Sequence, residues 1–186
     1  AYLAGVGAGG DAHGALLFAE EVQTGLGRTG ALWAIDGYGV RPDVIVTAKG
    51  LSGGLYPIAA TLLSEAAGAW LRTDSHGHVS TFGGAELGCR VAQKVLEITA
   101  REATRDNVLC VASGLGEGLA DIAARRPFLR EVRQRGLVIG LSFARPDGGV
   151  HVMRRLYELG VWAIVAGFDY GAIQVKPGLL WDEATT

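Results

Sequence analysis

The run Asp43-Val44-Ile45-Val46-Thr47-Ala48-Lys49-Gly50 decides how this chain is read. It is short, apolar and β-branched, is entered through Arg41-Pro42 and stops at a glycine, which marks a buried strand. A lysine stands where the apolar run ends. An earlier run, Gly14-Ala15-Leu16-Leu17-Phe18-Ala19, reads the same way and ends in Glu20-Glu21-Val22-Gln23-Thr24-Gly25. Ligands of open α/β sheets sit just beyond the carboxyl ends of the strands. A lysine there is a candidate amine nucleophile, and a carboxylate at a neighbouring end is a candidate partner for a positively charged cofactor ring. Taken alone, Glu20-Glu21 reads as a solvated strand end and Lys49 as a surface lysine. Together, each followed by a glycine-bearing turn, they point to chemistry. A Schiff-base lysine must lose its proton near neutral pH, which requires desolvation or a neighbouring cation. An electron-sink pyridine ring works best with its nitrogen protonated, and a carboxylate holds that proton in place.

Working outward, residues 15–20, 43–48 and 57–63 are predicted strands. From Leu87 the spacing turns helical, with Leu87, Val91, Val95 and Ile98 on one face. A second helix is predicted from Asn107 to Arg126, weakened by Gly114, Gly116 and Gly118 and ended by Pro127. Val132–Phe143 reads as a strand or a hairpin turning at Gly136, Val150–Leu159 as a helix capped by Gly160, and 161–165 and 172–175 as strands. Residues 1–104 therefore read as part of an α/β domain, and 105–186 as a smaller, incomplete α+β domain.

The bulk composition excludes several classes. Of 186 residues, 49% are hydrophobic and 19% charged, which supports a packed core rather than disorder. A net charge of −2 argues against a nucleic-acid partner. No apolar run reaches transmembrane length, and the start Ala1-Tyr2-Leu3-Ala4-Gly5 lacks the basic region of a signal peptide, so the expectation is a cytoplasmic protein without a membrane partner. Cys89 and Cys110 are expected to be buried thiols in a reducing compartment. Gly50-Leu51-Ser52-Gly53-Gly54 resembles a transport-ATPase signature, but the sequence contains no P-loop. His76-Gly77-His78 is too sparse a donor set for a metal, and no G-x-S-x-G elbow supports a serine hydrolase.

These residues resemble a family, the class III (ω-type) aminotransferases, which are pyridoxal-phosphate enzymes of fold type I. Gly14 to Gly30 is similar to the family's Asp-Glu-Val-Gln-Thr-Gly-x-Gly-Arg-Thr-Gly strand end. Pro42 to Leu51 is similar to its cofactor-lysine segment, Thr81-Phe82-Gly83-Gly84 to its Thr-Phe-Gly-Gly turn, and Gly136 to Leu141 to the first strand pair of its C-terminal domain. The resemblance implies a mostly parallel sheet with helices, followed by a smaller α+β domain. It implies pyridoxal 5'-phosphate as cofactor and transfer of an amino group from an amine or amino acid donor to a keto acid or aldehyde. Lys49 matches the residue that carries the cofactor as a Schiff base and shuttles the proton. Val22 matches the residue packed on one ring face, and Gln23 the side chain near the phenolic oxygen. Thr81 matches the threonine reaching the phosphate of the opposite subunit, so a homodimer with shared active sites is implied. Alternatives within the resemblance are a phospho-lyase or aminomutase, or a truncated, non-catalytic dimerisation fragment.

Departures from the family pattern are also legible. Glu20 stands where the family's ring-nitrogen partner is Asp, and Ala85-Glu86 replaces Asn-Pro after the Thr-Phe-Gly-Gly turn. Gln174 aligns with an arginine that binds a substrate carboxylate, with Lys176 close by as a point donor that lacks arginine's bidentate fork. The family's phosphate loop and ring-stacking aromatic belong upstream of Ala1, so the chain is expected to be a C-terminal half that lacks the closing helix.

Overall fold

The computed structural model describes residues 2–74 and 76–182. Residues 183–186, where no closing helix is expected, and Ala1 lie outside the described residues. The chain divides into two compact units, one running to Gly27 and resuming over Ala31–Arg101, the other made of Arg28–Gly30 and everything from Glu102 onward.

The first unit opens with α1 (Tyr2–His13), a glycine-rich helix with no buried residue and therefore no apolar stripe to announce it in the sequence. Its sheet has the order β1-β2-β3, from β1 (Phe18–Glu20), β2 (Val44–Thr47) and β3 (Ala60–Leu63). β1 runs parallel to β2, and β3 antiparallel to it. All three strands lie inside the predicted segments but are shorter. Asp43 explains the late start of β1: its carboxylate accepts the Leu17 N–H at 2.8 Å while its own N–H donates to the Leu17 carbonyl at 2.9 Å. The Asp43 carbonyl also accepts the Ser64 N–H at 2.7 Å, so one residue ties together the entry of two strands and the exit of the third.

Helix α2 (Glu86–Thr99) follows. The predicted stripe of Leu87, Val91, Val95 and Ile98 is rotated in the structure, since α2 buries Gly88 and Ala92 and leaves Leu87 64% exposed. The cause is local: a Cβ on Gly88 would lie 2.9 Å from the Tyr56 ring, so the bare glycine backbone is what meets that ring. The expectation of buried cysteines is corrected by the same rotation. Cys89 is exposed beside Gly88, and Cys110 is exposed on the next helix, off the buried line of Val108 and Val111.

The second unit contains α3 (Glu102–Arg125), β4 (Leu129–Arg135), β5 (Val138–Phe143), α4 (Gly148–Glu158), β6 (Ile164–Ala166) and β7 (Asp169–Val175). Its antiparallel sheet has the order β4-β5-β7-β6. Strand periodicity puts Ile139, Leu141 and Phe143 on one face of β5, where they join Leu129 and Ile173. Leu115, Leu119 and Ala123 of α3 and Val152, Met153 and Leu156 of α4 pack on that face, giving two layers, helices on a sheet. The predicted hairpin turn is at Gly136, with φ at +55°. A Cβ there would lie 2.7 Å from the Arg28 carbonyl, and the Leu137 N–H donates to the same carbonyl at 2.9 Å.

Candidate active site

The parallel pairing of β1 with β2 sets Glu20 opposite Val46, three positions before Lys49. The ladder continues one step further, with the Glu21 N–H donating to the Val46 carbonyl at 2.8 Å. Both strands therefore end together, one delivering a carboxylate pair and the other a lysine. Lys49 is exposed and opens a short 3-10 turn, Lys49–Ser52. Its φ is +41°, in the left-handed region that L-residues with a side chain rarely adopt. Such strain persists where surrounding contacts over-determine it and concentrates at functional sites. The contacts are visible here: Leu51 is buried in a cluster with Leu26 and Ala92, the Leu51 N–H donates to the Ala48 carbonyl at 3.0 Å, and the Ser52 hydroxyl donates to the Lys49 carbonyl at 2.8 Å.

Leu26, itself at φ +60°, belongs to the turn that follows β1. The lysine turn and the carboxylate turn thus share one small core. Glu20 is exposed on the same face of β1 as Phe18, and its Oε1 accepts the Val22 N–H at 2.7 Å. Val22 and Gln23 are half-buried in this turn. The structure therefore brings Glu20, Val22, Gln23 and Lys49 to one end of one sheet. It does not join Thr81 to them: Thr81 is exposed in the turn before α2, and no side-chain hydrogen bond is made by it among the described residues.

Of two further residues at this end, Thr47 was not singled out from sequence and Glu21 was read only as half of a carboxylate pair. Glu21 is only 3% exposed, and Thr47, at 1%, has a buried hydroxyl with no hydrogen-bond partner among the described residues. An orphaned buried hydroxyl two positions before the strained lysine is a polar feature that packing alone does not explain. A primary amine and a carboxylate at neighbouring strand ends, with a spare buried hydroxyl near the end of β2, form a set of groups that suits a cofactor with an aldehyde and a ring nitrogen.

In the second unit, the Lys176 ammonium donates to Gln174 Oε1, the two side chains lying on one face of the chain at the end of β7. Arg28 donates to the Pro177 carbonyl at 2.7 Å, and burial pulls its guanidinium below its ordinary value. The Asn107 amide holds the carbonyls of Leu179 and Trp181 at 3.1 and 2.7 Å.

Residues 1–185 match the family described as aminotransferase class-III. The chain belongs to the class-III aminotransferases. It is 47% identical over 173 residues to an uncharacterized aminotransferase of Archaeoglobus fulgidus, covering 93% of this chain and 41% of that protein. It is 40% identical over 172 residues to a succinylornithine transaminase of Yersinia enterocolitica, covering 91% and 40% respectively. The ornithine aminotransferase of Plasmodium yoelii superposes with a TM-score of 0.88 at 31% identity, over 99% of this chain and 48% of that one. The expected fold type I architecture is therefore present. The chain spans about 40% of the length of the curated relatives it matches. Class-III aminotransferases depend on pyridoxal phosphate, and the strand-end residues described above fit that group. Among the described residues, no helix is long and apolar enough to cross a membrane.

Proposed function

We propose that the protein carrying this chain is a pyridoxal-phosphate-dependent aminotransferase that moves an amino group from an amine or amino acid donor to a keto acid or aldehyde. The observation that carries this reading is the common ending of β1 and β2, with Glu20 and the left-handed Lys49 at the same sheet end. The ornithine derivatives in the relatives' names favour a donor with a terminal amine.

When bound, pyridoxal phosphate supplies an aldehyde carbon that captures amines and a ring that withdraws electrons from the captured carbon. Lys49 would hold the cofactor through its Nζ. The same Nζ would serve as the base that takes the proton from the donor's carbon and as the acid that gives it back. The Glu20 carboxylate holds a proton at the ring nitrogen, and its longer arm than aspartate's is restrained by the Val22 N–H. Val22 and Gln23, half-buried in the same turn, would hold the ring, Val22 from one face and Gln23 beside the phenolic oxygen. Thr81 reaches the phosphate bound by the partner in a homodimer, which agrees with its exposure. The exposed thiols Cys89 and Cys110 suit a reducing, cytoplasmic setting.

The test is a donor screen on the full-length protein with a 2-oxo acid acceptor. The expected result is stoichiometric conversion of donor amine to carbonyl product and of 2-oxo acid to amino acid, abolished in Lys49→Ala. Release of ammonia or phosphate without consumption of the 2-oxo acid would instead identify a lyase or mutase.

A further inference from the structure

Glu21 is a carboxylate taken almost completely out of water, and the chemistry described above does not use it. Strand alternation points it away from Glu20, which is exposed on the opposite face of β1. Both its oxygens are already engaged. Oε1 accepts the Ile35 N–H at 2.8 Å, and Oε2 accepts the Thr24 hydroxyl at 2.5 Å. Its backbone is engaged as well, the N–H donating to Val46 on β2 and the carbonyl accepting the Gly25 N–H at 3.0 Å. Both carboxylate oxygens and both backbone groups of Glu21 are thus bonded within the protein.

What Glu21 holds is informative. Its side chain bridges the turn after β1, through Thr24, to the loop at Ile35, whose segment folds back until the Trp33 ring lies 2.9 Å from where a Cβ on Gly25 would be. That turn contains Val22, whose N–H in turn holds the Glu20 carboxylate. Four hydrogen bonds thus converge on one buried residue, and the two groups meant for the cofactor ring hang from the same turn. A buried carboxylate whose two oxygens each meet one neutral donor is costly in a plain turn, where an apolar residue would pack with less penalty.

We propose that Glu21 is the positioning residue that fixes Glu20 and Val22 against the cofactor ring, acting through Thr24 and Ile35 without touching the ring itself. This rests on the pyridoxal-phosphate reading above. Without Glu21, the Ile35 N–H and the Thr24 hydroxyl lose their acceptor and the turn opens. Glu20 then no longer keeps the ring nitrogen protonated.

The experiment uses the full-length holoenzyme loaded with cofactor isotopically labelled at the ring nitrogen, whose magnetic-resonance shift reports its protonation directly. Glu21→Gln should leave the ring protonated, because the glutamine carbonyl still accepts from Ile35 and its amide donates to the Thr24 hydroxyl. Glu21→Ala should move the ring nitrogen towards the unprotonated shift and lower kcat by about 10–100-fold with little change in the donor KM. Thr24→Val removes one arm isosterically and should shift the signal in the same direction by a smaller amount. It decides the matter if Glu21→Ala does not fold. An unaltered ring signal in the Ala and Val variants overturns the proposal, and so does a Gln variant as impaired as the Ala variant, which would mean that the charge itself is used. An unprotonated ring in the wild type overturns the Glu20 assignment first, and the positioning role with it.

Discussion

At the residue scale the account turns on Glu20 and Lys49, and on the one-methylene difference between Glu20 and the family's usual aspartate. The carboxylate retains its charge, and the Val22 N–H at 2.7 Å restrains the longer arm. Glu20→Asp is therefore expected to keep kcat within about tenfold of the wild type, and Glu20→Gln, which cannot hold the proton as a carboxylate does, to lose on the order of 10²–10³-fold in kcat. Steady-state kinetics on both variants checks this, and equal losses would contradict it. The placement of these two residues at one sheet end was legible because the amine and the carboxylate each close an apolar run. Glu21 was not, because in sequence it is one more glutamate after Glu20. Only the pleat, which sends neighbours to opposite faces, and the loop returning at Ile35 separate the two roles. Thr47 was hidden for the same reason, since nothing in a strand's composition says which hydroxyl is left without a partner.

At the element scale, alternation and glycine placement recovered most strands and the hairpin at Gly136, whereas exact boundaries depended on distant partners. β1 begins late because Asp43, just before β2, takes the backbone groups of Leu17. α3 runs unbroken from Glu102 through Gly114, Gly116 and Gly118. Its buried Val108, Val111 and Ala112 pack with Leu137, and Gln134 donates to the Ala112 carbonyl at 2.7 Å, so packing outweighs the glycines' helix propensity. Gly136→Ala combines a left-handed φ with a clash against the backbone of Arg28 and Thr29, and is expected to destabilise the second unit by about 2–3 kcal/mol. Denaturant unfolding of that variant measures the loss, and a change below about 0.5 kcal/mol would contradict the packing described. At the start of α4, Asp147 is held down to about 2 by hydrogen bonds from Arg145 and His151. A depressed carboxylate contributes stability that is present above its ordinary 3.8 and is lost as pH falls through about 2. Asp147→Asn should thus be less stable than the wild type at neutral pH, with the difference closing over that acid window. A difference that persists below it would point to something other than the charge.

At the scale of the whole molecule, the exposed Thr81 and the sheet end carrying Lys49 make a prediction about the assembly. If Thr81 completes the partner's phosphate site, mixed dimers of a Lys49→Ala subunit with a Thr81→Val subunit contain one site with both groups intact. Cofactor affinity and turnover of the isolated mixed dimer should then exceed those of either homodimer, reaching about half the wild-type activity for a complete one-site rescue. Activity no higher than the average of the two parents would place Thr81 in its own subunit's site or in none. The central claim, that Lys49 is the covalent anchor of pyridoxal phosphate, has a more direct test. The full-length protein is incubated with the cofactor, reduced with borohydride, digested and mapped by mass. The account predicts a stable pyridoxyl adduct on the peptide containing Lys49, and on no other lysine. An adduct confined to another lysine, or none at all, would contradict it.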